Sequence, residues 1–341
     1  MLIKRSASLI LESFRADHKR LSKFMFEQLL STMRVVALPM KTNFRGVTVR
    51  EVALFHGEYG WGEFSPFLEY DDRESSRWLA SAIEAATAPR PARYHDEISV
   101  NGTIPATNDK NVIDDLVATY NGVKTYKVKV GNNLSEDIAR LARIRSLGRN
   151  INIRIDVNGL WGVDEALTNL YAFYENVGPF EYVEQPCATL EELRELKTKI
   201  RIPLKIAVDE VIRKADDPLA LDLTDTADIV MLKVQPLGGI NRSLEIAAHH
   251  KLPVVVSSAL ESAVGIRYGL ELAASIEDLH FDCGLATGSL VTRDVANLPI
   301  TQGAITLGDL DIKLDGLDVV PERYEWWKNR AMRCAEVLGL S

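Results

Sequence analysis

The chain has 341 residues, of which 46% are hydrophobic and 26% charged, a composition typical of a globular protein. A formal net charge of −8 and the lack of a basic stripe argue against nucleic-acid binding, and no uncharged apolar run approaches the roughly 20 residues that span a bilayer. The three cysteines have no metal-ligand spacing and are typical of a reducing compartment, so we expect a cytoplasmic protein.

The first part of the chain is predicted to form an extension and a small domain. Residues 1–24 are basic and are predicted to be a flexible extension. Apolar alternation predicts strands at 35–38 and 47–55, and apolar residues at helical spacing predict a helix at 73–88. Residues 25–97 are therefore predicted to be an α+β capping domain.

Short strands and helical stretches alternate over residues 98–290, which predicts a parallel sheet. Eight such units predict closure into a barrel. We therefore predict an α/β fold, a (β/α)8-type TIM barrel in the modified (β/α)7β form, with the capping domain attached. Residues 291–341 are predicted to end in a helix that packs back on the capping domain.

Five consecutive strands of this repeat end in a charged residue: Lys129, Asp156, Glu184, Asp209 and Lys233. Charged groups at successive strand ends are the layout of a barrel active site. Lys127 shares the face of Lys129 because alternate residues of a strand point the same way. Taken alone, the two lysines would indicate a solvated strand face.

The three carboxylates supply hard oxygen ligands without histidine or cysteine, which favours Mg²⁺, with Mn²⁺ possible, over zinc. The alternative interpretation is three unrelated surface acids. An amine base needs a lowered pKa near neutral pH, and the closeness of Lys127, Lys129 and a bound cation would provide it. Lysines beside a metal-bound carboxylate suit removal of the proton α to it. A catalytically silent metal-binding scaffold remains the alternative of another class.

The strand ends carry the motifs Lys127-Val-Lys129, Asp156-Val-Asn-Gly, Glu184-Gln-Pro, Asp209-Glu and Lys233-Val-Gln-Pro-Leu-Gly-Gly-Ile. In this order and spacing they resemble the muconate-lactonising branch of the enolase superfamily. More closely, the chain resembles the o-succinylbenzoate synthases of the actinobacterial type in four further segments: 35–40, 44–46, 61–67 and 257–260. The likeness spans about residues 26–338.

The resemblance implies a Mg²⁺-dependent dehydration of 2-succinyl-6-hydroxy-2,4-cyclohexadiene-1-carboxylate to 2-succinylbenzoate, a step of menaquinone biosynthesis. Lys129 would take the α-proton and then protonate the departing hydroxyl group. Lys233 would stabilise the anionic intermediate, and Lys127 would tune the pKa of Lys129. The runner-up activity is that of an N-acylamino-acid racemase or dipeptide epimerase of the same superfamily.

Five further residues are candidates for binding a small-molecule carboxylate substrate: Arg45, Gly238, Gly239, Ser257 and Ser258. The glycine pair precedes a helix and would offer N–H groups to an anion, or would simply form a tight turn. The serines end the seventh strand and would hydrogen-bond the substrate or fill the barrel. Arg45 would meet the anion or form a surface salt bridge. The sequence leaves the oligomeric state open and is compatible with a monomer.

Overall fold

The computed structural model describes residues 23–44 and 46–340. The extension predicted at 1–24 lies outside this range except for its last two residues, and so does Arg45. In the described part of the chain, every helix is too short or too polar to cross a membrane.

The N-terminal unit is a three-stranded antiparallel sheet with one long helix packed on it. Its elements are α1 (Lys23–Ser31), β1 (Arg34–Phe44), β2 (Val47–Gly57), β3 (Gly60–Phe64) and α2 (Asp72–Thr87). Helix α2 begins where the Asp71 carboxylate accepts from the Glu74 amide. It lies so close to the sheet that a Cβ atom on Gly62 would overlap the Ala82 carbonyl oxygen. Glycine is therefore required at that position.

The second unit contains a parallel sheet whose strands follow one another in chain order. These strands are β5 (Gly102–Ile104), β6 (Thr125–Lys129), β7 (Asn152–Asp156), β8 (Tyr182–Glu184), β9 (Lys205–Val208), β10 (Ile229–Leu232) and β11 (Val254–Val256). The sheet closes through parallel bridges from Val100 to Cys283 and from Ser257 to Gly284. The bridges at Cys283 and Gly284 supply the eighth strand position, and the TIM-barrel prediction with an α+β capping domain is confirmed.

Helices cover the outside of the barrel: α3 (Lys110–Thr119), α4 (Leu134–Arg145), α5 (Val163–Val177), α6 (Leu190–Lys199), α9 (Ile240–His250) and α10 (Ala263–Ala274). Two single-turn helices, α7 (Glu210–Arg213) and α8 (Val234–Leu237), follow β9 and β10 directly. With helices outside and side chains filling the inside, the strands are buried on both faces, which explains the nearly continuous apolar sequences of β9, β10 and β11.

The start of the barrel differs from the sequence-based prediction. The apolar stretch from residue 98 contains two strands, because β4 (Glu97–Ser99) pairs antiparallel with β12 (Ala304–Thr306) outside the barrel. Only β5 belongs to the parallel sheet. Alternation in the sequence continues through both strands and does not identify the pairing partner of either strand.

The last helix, α11 (Pro321–Leu338), packs against the capping domain. The rings of Trp327 and Phe64 meet edge to face with their centroids 5.7 Å apart. Arg330 is buried and donates to the carbonyl oxygens of Phe67 and Tyr70 at 2.8 and 2.7 Å. The chain end thereby closes on the loop between β3 and α2.

Candidate active site

The six charged residues predicted at the strand ends all lie at one end of the barrel. In the strand register Lys129 is level with Asp156, and Asp156 is level with Glu184. Asp209 directly follows β9 and Lys233 directly follows β10. Strands β6 and β10 are four positions apart in an eight-membered ring, so Lys129 and Lys233 face each other across the barrel mouth.

Each lysine is paired with a buried carboxylate. The Lys127 ammonium lies 3.0 Å from Glu184 Oε2 and 3.1 Å from Asp156 Oδ2. Lys129 Nζ lies 2.5 Å from Asp156 Oδ2, and Lys233 Nζ lies 2.6 Å from Asp209 Oδ2. The structure therefore brings together all six predicted residues, three cations and three anions.

The environment gives the two lysines of β6 different acidities. Burial acts to lower the pKa of Lys127, but Glu184 and Asp156 outweigh it and raise that pKa well above its ordinary value. Burial lowers the pKa of Lys129, Asp156 opposes this, and the Lys127 cation adds to the lowering. Of the two, Lys129 is the group that gives up its proton more easily, in the direction that the family resemblance implied.

The three carboxylates of the site also differ in their pKa values. Burial acts to raise the pKa of Asp156, but Lys129 and Lys127 hold it at about 2. Burial opposes ionisation of Asp209 as well, yet Lys233 and Arg213 keep its pKa below the ordinary value. Burial and the neighbouring Asp156 charge raise the pKa of Glu184 to about 7.

The chemistry of the three carboxylates fits a divalent cation. Asp156 Oδ1 and Asp209 Oδ1 are buried, and neither has a hydrogen-bond partner among the described residues. Hard oxygens of this kind are the ligands of Mg²⁺. In this conformation, however, residues 23–44 and 46–340 contain no group of three or more histidine, cysteine, aspartate or glutamate side chains with metal-binding geometry. Between Asp156 and Glu184, the Lys127 ammonium group bridges the two carboxylates.

Three polar residues to which the sequence analysis gave no role, Asn158, Glu210 and Arg213, connect Lys129 to the Asp209 side of the barrel mouth. Lys129 Nζ donates to Asn158 Oδ1 at 2.6 Å, and Asn158 Nδ2 donates to Glu210 Oε1 at 3.1 Å. Arg213 Nη2 donates to the same glutamate oxygen at 3.0 Å, and Arg213 Nε lies 3.5 Å from Asp209 Oδ1. Their positions just beyond the ends of β7 and β9 were the available signal.

A cavity at the barrel mouth contains the three lysines, and we call it the barrel-mouth cavity. The capping domain supplies its aromatic wall: Phe44, Phe67, Tyr70 and Trp78. Both predicted serines, Ser257 and Ser258, line it as well, and the Ser258 hydroxyl lies 2.7 Å from Thr287 Oγ1. Arg45 follows the lining residue Phe44 but lies outside the described residues.

The predicted anion site at Gly238 and Gly239 is occupied by the protein itself. The Ile240 amide donates to Glu84 Oε1 at 2.6 Å, and a Cβ atom on Gly239 would lie 2.7 Å from the Glu84 carboxylate. Neither glycine is among the lining residues of the barrel-mouth cavity. The sequence motif does mark an anion at a helix N-terminus, and in this structure that anion is the Glu84 side chain of the capping domain.

Sequence comparisons agree with this architecture. Residues 35–86 match the Enolase N-terminal domain-like model and residues 112–309 the Enolase C-terminal domain-like model. The chain is 46% identical over 319 residues to an o-succinylbenzoate synthase of Mycobacterium leprae (strain TN), an alignment that covers 91% of this chain and 93% of that protein. The chain belongs to the o-succinylbenzoate synthase family of the enolase superfamily.

A second o-succinylbenzoate synthase and two solved structures are also similar to this chain. The o-succinylbenzoate synthase of Mycobacterium ulcerans (strain Agy99) is 46% identical and is covered over 95% of its length, against 91% of this chain. The N-succinyl Arg/Lys racemase of Bacillus cereus ATCC 14579 superposes with a TM-score of 0.69 at 21% identity, over 84% of this chain and 96% of that one. The L-Ala-D/L-Glu epimerase of Bacillus subtilis has a TM-score of 0.69 at 22% identity, over 84% and 97%. At these identities the two structures establish the fold alone.

Proposed function

We propose that this member of the o-succinylbenzoate synthase family dehydrates 2-succinyl-6-hydroxy-2,4-cyclohexadiene-1-carboxylate to 2-succinylbenzoate, a step of menaquinone biosynthesis. The observation that carries the proposal is the pair Lys129 and Lys233, which face each other across a cavity that also contains Lys127. Support comes from the 46% identity to mycobacterial enzymes of that name over most of both chains. The substrate is thus a small carboxylate.

The reaction removes one proton and one hydroxyl group from adjacent ring carbons. Lys129, as the neutral amine, takes the proton α to the ring carboxylate. The electron pair of that C–H bond then forms the new double bond as the C–O bond breaks. The same lysine, now an ammonium group, gives its proton to the departing hydroxyl, so water leaves and the ring becomes aromatic.

The remaining charged residues support that proton transfer. Lys233 faces Lys129 as a cation and stabilises the negative charge that develops on the substrate carboxylate. Lys127 favours the neutral form of Lys129 by charge repulsion. We propose that Asp156, Glu184 and Asp209 hold Mg²⁺, or Mn²⁺ in its place. The metal would supply a Lewis acid for the substrate carboxylate.

The same pair of lysines also suits an N-acylamino-acid racemase, in which one lysine removes the α-proton and the other returns it on the opposite face. The position of Lys129 across the mouth from Lys233 is the observation that favours this second candidate. The two activities differ in their substrate and not in their proton-transfer groups.

The test is the absorbance change when the cyclohexadiene carboxylate is added with Mg²⁺. We expect turnover by the parent enzyme and a loss of at least 10²–10⁴-fold for Lys129→Ala, because one residue serves as both base and acid. Lys233→Ala should lower kcat strongly with less effect on KM. Lys124→Ala, at an exposed lysine just before β6, is the matched control and should behave like the parent.

Failure of the parent enzyme to dehydrate this substrate would refute the proposed reaction. Exchange of the α-proton of an N-succinylamino acid, without dehydration of the cyclohexadiene, would favour the racemase instead. Undiminished dehydration by Lys129→Ala would show that another group is the base.

A further inference from the structure

One wall of the barrel-mouth cavity is formed by the loop that follows β11. Ser258, Ala259 and Leu260 line the cavity. Leu260 has a φ of 65°, in the left-handed region, and its side chain is buried. A leucine adopts this backbone conformation only where surrounding contacts impose it, because the Cβ atom makes the conformation unfavourable.

The contact that holds this loop comes from the capping domain. Arg50 lies on β2 and is 3% exposed. Its Nε donates to the Leu260 carbonyl oxygen at 3.0 Å. Within the loop, the Glu261 carboxylate accepts from the Ala259 amide at 2.6 Å. The strained residue is therefore fixed from both sides, by its own loop and by an arginine that is distant in sequence.

The same arginine also holds a second part of the wall. Arg50 Nη2 donates to the Ser65 carbonyl oxygen, and the guanidinium group lies over the Phe67 ring, 4.6 Å from its centroid. Phe67 lines the barrel-mouth cavity. One rigid, planar group thus connects the Leu260 wall to the Phe67 wall, a geometry that the single ammonium group of a lysine cannot reproduce.

Within the described part of the chain, Arg50 donates its hydrogen bonds to the backbone and not to a carboxylate. Among the described residues its hydrogen bonds go to two backbone carbonyl oxygens, and it forms no carboxylate ion pair within 4.0 Å. The nearby Glu63 is already engaged: it accepts from the Ser262 amide at 3.1 Å and from the Gly265 amide at 2.9 Å, at the start of α10. Arg50 is therefore positioned to hold two backbone segments in place, one at Leu260 and one at Ser65.

We propose that Arg50 is a positioning residue that fixes the distance between the Leu260 and Phe67 walls and thereby selects substrates with a succinyl arm. The inference rests on the proposed function, in which the lysines engage the ring carboxylate. In that orientation, the methylene groups of the succinyl arm would contact the side chains of Leu260 and Phe67. Loss of Arg50 should loosen the fit of the arm without removing any group that transfers the proton.

The experiment compares Arg50→Met, Arg50→Lys and the control Arg323→Met. Arg323 pairs with Glu51, the next residue on β2, whose side chain is on the opposite face of the sheet. Binding of 2-succinylbenzoate and of benzoate is measured by calorimetry with Mg²⁺, together with KM and kcat. We expect Arg50→Met to weaken 2-succinylbenzoate binding and to raise KM about tenfold or more, the scale of one lost charge-assisted hydrogen bond. Benzoate binding and kcat should change by less than about threefold.

Hydrogen exchange supplies a readout that does not depend on the reaction. Amides of residues 258–262 should exchange faster in Arg50→Met, less so in Arg50→Lys, and at the parent rate in Arg323→Met. If Arg50→Met does not fold, the same comparison with Arg50→Lys decides the matter. Parent-like exchange in this loop, or equal weakening of both ligands, would overturn the proposal. If the parent neither dehydrates the substrate nor binds 2-succinylbenzoate, the proposed function fails, while a faster-exchanging loop would still support the structural part.

Discussion

Substitution of Glu84 should reveal how strongly the capping domain is attached to the barrel. Glu84 is on α2 of the capping domain, and its Oε1 accepts from the Ile240 amide at 2.6 Å and from the Tyr268 hydroxyl at 2.5 Å. Tyr268 is buried, so its hydroxyl group has little access to replacement water. The carboxylate therefore caps helix α9 and satisfies a buried donor of helix α10 at the same time.

The loss of stability expected for Glu84→Ala follows from the loss of both interactions. Glu84→Ala removes a helix cap, at about 1 kcal/mol, and leaves a buried hydroxyl unpaired, at about 1–3 kcal/mol. The free energy of unfolding should fall by roughly 2–4 kcal/mol. Glu84→Gln keeps one accepting oxygen and loses the charge, so about 1–2 kcal/mol is expected. Glu58→Gln, at an exposed glutamate of the same domain, is the control and should change little.

The assay is urea unfolding at neutral pH, followed by both tryptophan fluorescence and far-ultraviolet circular dichroism. Agreement of the two transitions tests whether the domains unfold together, which the comparison requires. A loss below about 0.5 kcal/mol for Glu84→Ala, the range of ordinary surface substitutions, would refute the reasoning.

Two further predictions concern buried carboxylates of the barrel. Glu184→Gln removes one proposed metal ligand, so the Mg²⁺ concentration for half-maximal activity should rise about tenfold or more; full activity after exhaustive EDTA treatment would contradict the metal assignment. Burial, with Glu63 nearby, raises the pKa of Glu261 to about 7 from an ordinary 4.5. Between these values the folded state holds a proton that the unfolded state has released, so stability should fall as pH rises. Glu261→Gln should reduce that slope in urea unfolding from pH 4.5 to 8, and an unchanged slope would mean that Glu261 does not carry it.

Local patterns in the sequence determined the barrel strands that carry the charged residues. The run 152–156 is buried from Ile153 onward and ends in Asp156, although the fully buried Arg154 shows that a charged residue can also lie inside such a strand. Since parallel strands all end on the same face, the sequence alone was sufficient to bring Asp156, Glu184 and Asp209 together with the lysines. Strand alternation put Lys127 beside Lys129, but the family resemblance, and not the spacing, implied which of the two lysines has the lowered pKa.

Contacts between segments that are distant in sequence determine features of the site that local sequence patterns do not show. The glycine motif at 238–239 predicts an anion, but only the packing of α2 against the barrel shows that the anion is Glu84. In the sequence, nothing distinguishes Arg50 from other charged residues of the strands. Its hydrogen bond to the Leu260 carbonyl oxygen joins residues that are 210 positions apart. Hydrogen bonds of buried side chains are short-ranged and depend on the exact docking of two domains, which leaves no periodic trace along the chain. The chemistry at the strand ends was therefore determined locally, whereas the walls that would select a substrate were decided by tertiary structure.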